Sequence, residues 1–216
     1  MRTLISIVIC VSCCFSCVFA QDSIVLGDEN YKLDLFRAVQ GTIQLTREQR
    51  ISSRYSINIG VMGTYASTRG LAKPYLKAQD FVYVDATTNK VYSLENVEAL
   101  GYGVNFQLRK YLSKYPTKEL KGFYLAPELF YRRLYLSSLI ETNIEVKRNL
   151  NLGYIGYALG YQKIWKDIVC LDTYVGGGFF LSQYTNESHL TRYRNNYQVD
   201  FTGMYFNMGV LIGYVR

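Results

Sequence analysis

Histidine is almost missing: the 216 residues include one, together with one tryptophan and three prolines. A catalytic zinc site built from several imidazoles is excluded on that count. Cysteine is equally scarce where a fold could use it, because four of the five (Cys10, Cys13, Cys14 and Cys17) lie in the first twenty residues. That disfavours structural zinc, and loss of the leading segment would leave Cys170 with no partner for a disulfide. Charged residues make up 19%, too few for a disordered acidic or basic chain. Past the leading segment no run of about 18 apolar residues occurs, so no transmembrane helix is expected. Linkers, internal repeats and low-complexity stretches are also missing. What the chain has in excess is tyrosine, 21 residues, with 17 glycines and 11 phenylalanines beside it.

The first twenty residues read as an export signal. Met1-Arg2-Thr3 is a short positive start, an apolar run extends from Leu4 to Phe19, and Val18-Phe19-Ala20 suits a signal peptidase. Cleavage after Ala20 is expected, leaving residues 21–216 as the mature chain. A retained transmembrane helix and a lipoprotein are the alternatives, although no Leu-small-small-Cys pattern precedes any cysteine.

An exported chain without helical spans is either soluble or an outer-membrane barrel, and alternation favours the barrel. In residues 100–109, Leu100, Tyr102, Val104, Phe106 and Leu108 share one face, opposed by Gly101, Gly103, Asn105, Gln107 and Arg109. Strands of soluble proteins typically run to about 5–6 residues, whereas a tilted transmembrane strand needs about 9–11. The same division recurs at Tyr55–Tyr65, Ile155–Gln162, Val169–Leu181 and Phe206–Tyr214: large apolar groups on one face, glycine and polar groups on the other. Lipid outside and a narrow, hydrogen-bonded interior require that pattern.

Strands are expected near 31–39, 42–47, 54–66, 98–111, 122–136, 150–165, 168–183 and 204–215. The fold class is therefore all-β: an eight-stranded antiparallel transmembrane β-barrel with a filled lumen. Short connections near 48–53, 112–121 and 166–167 would face the periplasm, and long ones at 67–97 and 184–203 the cell exterior. The first hairpin, at Gln40-Gly41, is the exception, being short on the outer side. Within 67–97, Phe81–Val84 and Lys90–Ser93 read as a hairpin above the membrane, a recognition surface for a partner or a cap over the barrel.

Three segments carry a resemblance. Gly122-Phe-Tyr-Leu-Ala-Pro-Glu-Leu-Phe-Tyr131, then Leu159-Gly-Tyr-Gln162, then Leu171-Asp-Thr-Tyr-Val-Gly-Gly-Gly178 resemble small eight-stranded outer-membrane barrels of Bacteroides-type bacteria, a group that includes families of unassigned function. The resemblance spans most of 31–216 and implies an outer-membrane location. The C-terminus is also similar to the signal read by barrel-assembly machinery, through Asn207, Gly209, Ile212 and Tyr214, although it runs on to Val215-Arg216.

Inward parity groups Lys32, Asp34, Arg109, Glu128, Arg132 and Asp172, and charges of both signs in a narrow lumen are expected to pair into a plug. An ion or proton path through the same groups is the alternative. Arg37, Arg69, Arg133, Lys147, Arg148, Arg192 and Arg194 gather towards the outer rim, where guanidinium groups suit lipopolysaccharide phosphates. Trp165, Lys163 and Lys110 cluster at the opposite interface. The one enzymatic candidate is Asn186-Glu187-Ser188-His189 in the last outer loop, similar in place to the His/Ser/acid set of lipid A-modifying barrels. Neighbouring loop positions seldom aim at one another as a triad requires. No catalytic role, cofactor, metal or nucleic-acid partner is expected. The expected role is structural or surface-interactive, with a small pore, a His189-dependent lipid A enzyme and a soluble secreted barrel as alternatives. Tyrosine then divides into an outward set (Tyr55, Tyr65, Tyr102, Tyr131, Tyr157, Tyr161, Tyr214) for the lipid–water boundary and an inward set (Tyr124, Tyr154, Tyr174) for the lumen.

Overall fold

The structure, a computed structural model, describes residues 29–67, 72, 76, 82–84, 91–93, 95–112, 120–139, 145–185 and 202–216. The expected signal segment, Arg69, Asn186–His189, Arg192 and Arg194 lie outside the described residues.

Eight strands close into an antiparallel barrel. In chain order the elements are β1 (Glu29–Asp34), α1 (Leu35–Val39), β2 (Thr42–Arg50), β3 (Tyr55–Ser67), β4 (Val82–Val84), β5 (Val91–Ser93), β6 (Glu95–Tyr111), β7 (Gly122–Leu139), β8 (Glu145–Trp165), β9 (Val169–Tyr184) and β10 (Gly203–Val215). Around the barrel the order is β1-β10-β9-β8-β7-β6-β3-β2, while β4 and β5 pair separately as the small hairpin within the 67–97 connection. The seam is made by β1 and β10, registered from Asn30↔Val215 to Asp34↔Leu211. Backbone bonds between Glu29 and Arg216 extend it at the lower end, the end that also holds the 51–54 and 166–168 turns.

Seven of the eight barrel strands run from one end of the barrel towards the other, and the first stops short. Residues 35–39, expected as strand, form the helical turn α1, capped by the Asp34 carboxylate, which accepts from the Arg37 N–H at 3.0 Å. An aspartate at this position competes with the sheet for the chain's donors. Gly41 (φ +74°) then turns the chain into β2, and its carbonyl accepts the Tyr65 N–H at 2.8 Å. A side chain at Gly41 would also strike the β3 backbone at Tyr65. β1 is thus the shortest barrel strand, with 6 residues, while β7 and β8 reach 18 and 21.

Burial alternates along every barrel strand: the first five residues of β2 read buried, exposed, buried, exposed, buried. The interior has three tiers. An ionic tier lies near the lower end, a sparser polar tier above it, and an apolar plug closes the upper mouth. The plug joins Met62, Val97, Leu134, Leu150, Leu152 and Phe180 to Ala72 and Leu76 of the long connection. Leu76 is fully buried, and its N–H bonds the Ala72 carbonyl at 3.0 Å. This part of the 67–97 connection therefore serves as a cap.

Candidate functional site: the barrel lumen

The four charged groups of the lower tier come from four strands. Lys32 on β1 donates to Glu48 Oε2 (2.5 Å), Gln162 Oε1 (2.5 Å) and Asp172 Oδ2 (2.8 Å), which uses all three ammonium donors. Arg109 on β6 reaches across to Asp172 Oδ2 at 2.5 Å and Glu48 Oε2 at 3.3 Å. Its Nε and Nη2 donate to Gln107 Oε1 at 2.9 and 2.7 Å. The guanidinium plane lies over the Tyr124 ring, 4.3 Å from its centroid. The remaining carboxylate oxygens accept from Tyr111 and Ser56 (Glu48 Oε1) and from Tyr124 (Asp172 Oδ1). All four charged side chains have no exposed surface, and two cations balance two anions. An unpaired buried polar atom is costly in a low dielectric, and no nitrogen or oxygen of these four charged side chains is without a partner. Below, Gln162 donates to the Leu120 carbonyl, and Leu120 packs with Tyr111 and Tyr124 across the lower mouth. Tyr124 fits because residue 160 is glycine: a Cβ there would overlap the phenol ring.

The upper polar tier is looser. Glu128 on β7 accepts from Asn105 (2.7 Å) and Asn207 (2.9 Å). Arg132 donates to Thr42 Oγ1 at 3.1 Å, and Thr42 bonds Thr64 at 3.0 Å. Arg37 Nε lies 3.7 Å from Asp34 Oδ2, with the guanidinium 5.0 Å above the Phe130 ring. Among the described residues, Asp34 Oδ2, Arg37 Nη2, Thr46 Oγ1, Asn105 Oδ1 and the Tyr154 and Tyr174 hydroxyls find no hydrogen-bond partner.

The six charges read from parity are all buried in the lumen but fall into two groups: Lys32, Arg109 and Asp172 below, Asp34, Glu128 and Arg132 above. Sequence reasoning missed Glu48, the fourth member of the lower group. Reading β2 as ending at residue 47 dropped it, whereas its even number continues the inward row of Thr42, Gln44 and Thr46. It also placed Arg37 on the outer rim. The helical turn swings Arg37 inward, 5% exposed, and leaves Leu35, Phe36 and Val39 outside. Arg148 needs the same correction. β8 begins at Glu145, so Arg148 pairs with inward Leu136 and lies over the Tyr184 ring, on the lumen side of the rim. Of the proposed phosphate contacts, Arg133 does stand on the outer face, beside Tyr135. In the C-terminal strand Asn207 and Gly209 turn inward, and Ile212 and Tyr214 outward.

The outer face reverses the chemistry of the lumen. On β8 it runs Asn149, Asn151 and Gly153, then Ile155, Tyr157, Leu159 and Tyr161, then Lys163 and Trp165. On β7 an apolar stretch from Phe123 to Tyr131 is bounded by Lys121 below and Arg133 above. On β6 it extends from Leu100 to Leu108, between Glu98 and Lys110. An apolar belt therefore crosses neighbouring strands, with polar residues on both borders. Comparison with family models, curated proteins and solved structures finds no match for this chain.

Proposed function

We propose that this chain is an integral outer-membrane barrel with a structural or surface-interaction role, related to the small Bacteroides-type barrels that its strand motifs resemble, and not a large open pore. The observation that carries this reading is the inverted polarity. Val61, Leu100, Ile155, Val175 and Phe206 are each more than half exposed, while Lys32, Glu48, Arg109 and Asp172 are buried. In water, such a wall would forgo about 25 cal/mol for every Å² of apolar surface left uncovered. In lipid the same wall is covered, and closure satisfies the backbone. The belt length agrees, since the nine residues Phe123–Tyr131 fall in the range of about 9–11 needed by a tilted strand. β7 and β8 continue well past it, which supports a surface that stands clear of the bilayer for contact with a partner. Arg133 at the upper border suits a lipopolysaccharide phosphate, and the C-terminal strand suits the barrel-assembly machinery. Two neutral ionic groups and an apolar plug support a closed lumen.

Fractionation of expressing cells tests the location. Recovery in the outer-membrane fraction, with a gel mobility that changes on boiling, is the expected result. Recovery only as a soluble periplasmic or secreted protein would overturn it. In planar bilayers, steady large openings would remove the closed-lumen reading.

A further inference from the structure

The outer face changes chemistry within one rung at the upper border of the belt. Tyr131 on β7, Gly153 on β8 and Leu181 on β9 stand side by side, and the next rung up holds Arg133, Asn151 and Gln183. Below that polar rung the wall is hollowed into a cleft of about 490 Å³, whose lining includes Val104, Leu129, Tyr131, Gly153, Ile155 and Leu181.

The hollow exists because residue 153 has no side chain. Gly156, Gly160 and Gly178 are fixed by their neighbours, since a Cβ at any of them strikes a ring or the backbone. A Cβ at Gly153 meets nothing within 4 Å. Packing inside the protein therefore does not demand glycine there, and glycine weakens a strand interior unless something approaches it closely.

The rung above supplies charge. The Arg133 guanidinium lies 5.5 Å from the Tyr135 ring, and its Nε has no hydrogen-bond partner among the described residues. No carboxylate shares its rung, which runs from Ile43 through Gly63 and Tyr102 to Gln183. Tyr131 donates to Asn151 Oδ1 at 3.0 Å, which ties the phenol to the border and leaves its ring as one side of the cleft. An apolar hollow capped by a guanidinium and amide groups matches an amphiphile with an anionic head.

We infer that the cleft and the rung above it form a discrete site for a phosphorylated, acylated lipid of the leaflet at the barrel's upper end. Arg133 takes the phosphate of lipid A, and one acyl chain lies over Gly153 between Tyr131 and Leu181. The inference rests on the membrane reading above and deepens it, since that reading asks only that an arginine stand near phosphates.

Native mass spectrometry tests the site, with the full chain released from phosphatidylcholine nanodiscs that hold lipid A and its dephosphorylated form in equal amounts. One lipid A per barrel is expected to be retained, in preference to the dephosphorylated form. Arg133→Gln lowers that preference about five-fold. Gly153→Leu fills the hollow and lowers retention of lipid A, whereas Gly177→Leu, on the outer face beyond the cleft, leaves it unchanged. Boiling-dependent gel mobility checks that each variant is folded. Equal retention of both forms, no change in Arg133→Gln or Gly153→Leu, or an equal loss in Gly177→Leu overturns the site while leaving insertion intact. Loss of lipid A in millimolar inorganic phosphate makes this a phosphate-ion site and overturns the lipid assignment. A chain that stays outside the nanodiscs overturns the membrane reading, and the site with it.

Discussion

The two polar tiers of the lumen hold matched charge and treat it differently. Lys32, Arg109, Glu48 and Asp172 below, and Arg37, Arg132, Asp34 and Glu128 above, each sum to zero. Below, contacts between opposite charges fall between 2.5 and 3.3 Å, and no nitrogen or oxygen of the four charged groups lacks a partner. Above, the Arg37–Asp34 approach is 3.7 Å, and several buried polar atoms lack partners among the described residues. Charge balance alone therefore does not make a rigid plug; complete hydrogen bonding does. The lower tier sits where β1 still closes the wall. The upper one sits where α1 has replaced the strand, so one of its two cations, Arg37, arrives on a single helical turn instead of a registered ladder.

Breaking the lower tier should have the largest effect. Asp172→Ala leaves Lys32 and Arg109 sharing one carboxylate and is expected to cost about 3–5 kcal/mol, read from urea unfolding of the folded protein through Trp165 emission. A loss below about 1 kcal/mol would mean that water reaches the tier and screens it. Next comes Gly160→Ala, whose methyl group displaces the Tyr124 ring and with it the phenol bond to Asp172; overpacking of this kind costs about 1–3 kcal/mol. The same unfolding curves would expose an error here if the variant matched the parent.

In the upper tier, Arg37→Ala removes an ion pair of long geometry and a cation–ring contact, with an expected loss of about 1 kcal/mol. A loss equal to that of Asp172→Ala would erase the distinction between the tiers. The smallest change is expected for Thr46→Val, because the Thr46 hydroxyl is buried without a partner. Exchange of an unbonded hydroxyl for a methyl group should shift stability by no more than about 0.5 kcal/mol. A larger loss in the unfolding midpoint would show that ordered water holds that hydroxyl in place.

Much of the barrel was legible because period-two alternation needs no knowledge of neighbours. Leu100 to Arg109 states its two faces in ten residues, and Tyr124, Tyr154 and Tyr174 turn inward as their parity requires. The errors came where a local signal changed the count. Asp34 caps a helical turn, so Arg37, expected at the outer rim, turns into the lumen. β8 begins five residues before the expected boundary, so Arg148 counts as strand and faces the lumen. β2 runs three residues beyond its expected end, and Glu48 came with it.

Composition and alternation were enough to establish which side chains face outward and which face the interior, since that choice is made residue by residue along each strand. Which interior groups meet could not be read that way. Lys32 finds Glu48 16 positions away and Asp172 140 positions away because antiparallel register and barrel closure bring β1, β2 and β9 to one level of the lumen. Pairing of buried charges is a property of closure: no segment of the chain holds enough of the partners to satisfy them, and only the assembled wall brings both signs within hydrogen-bond reach.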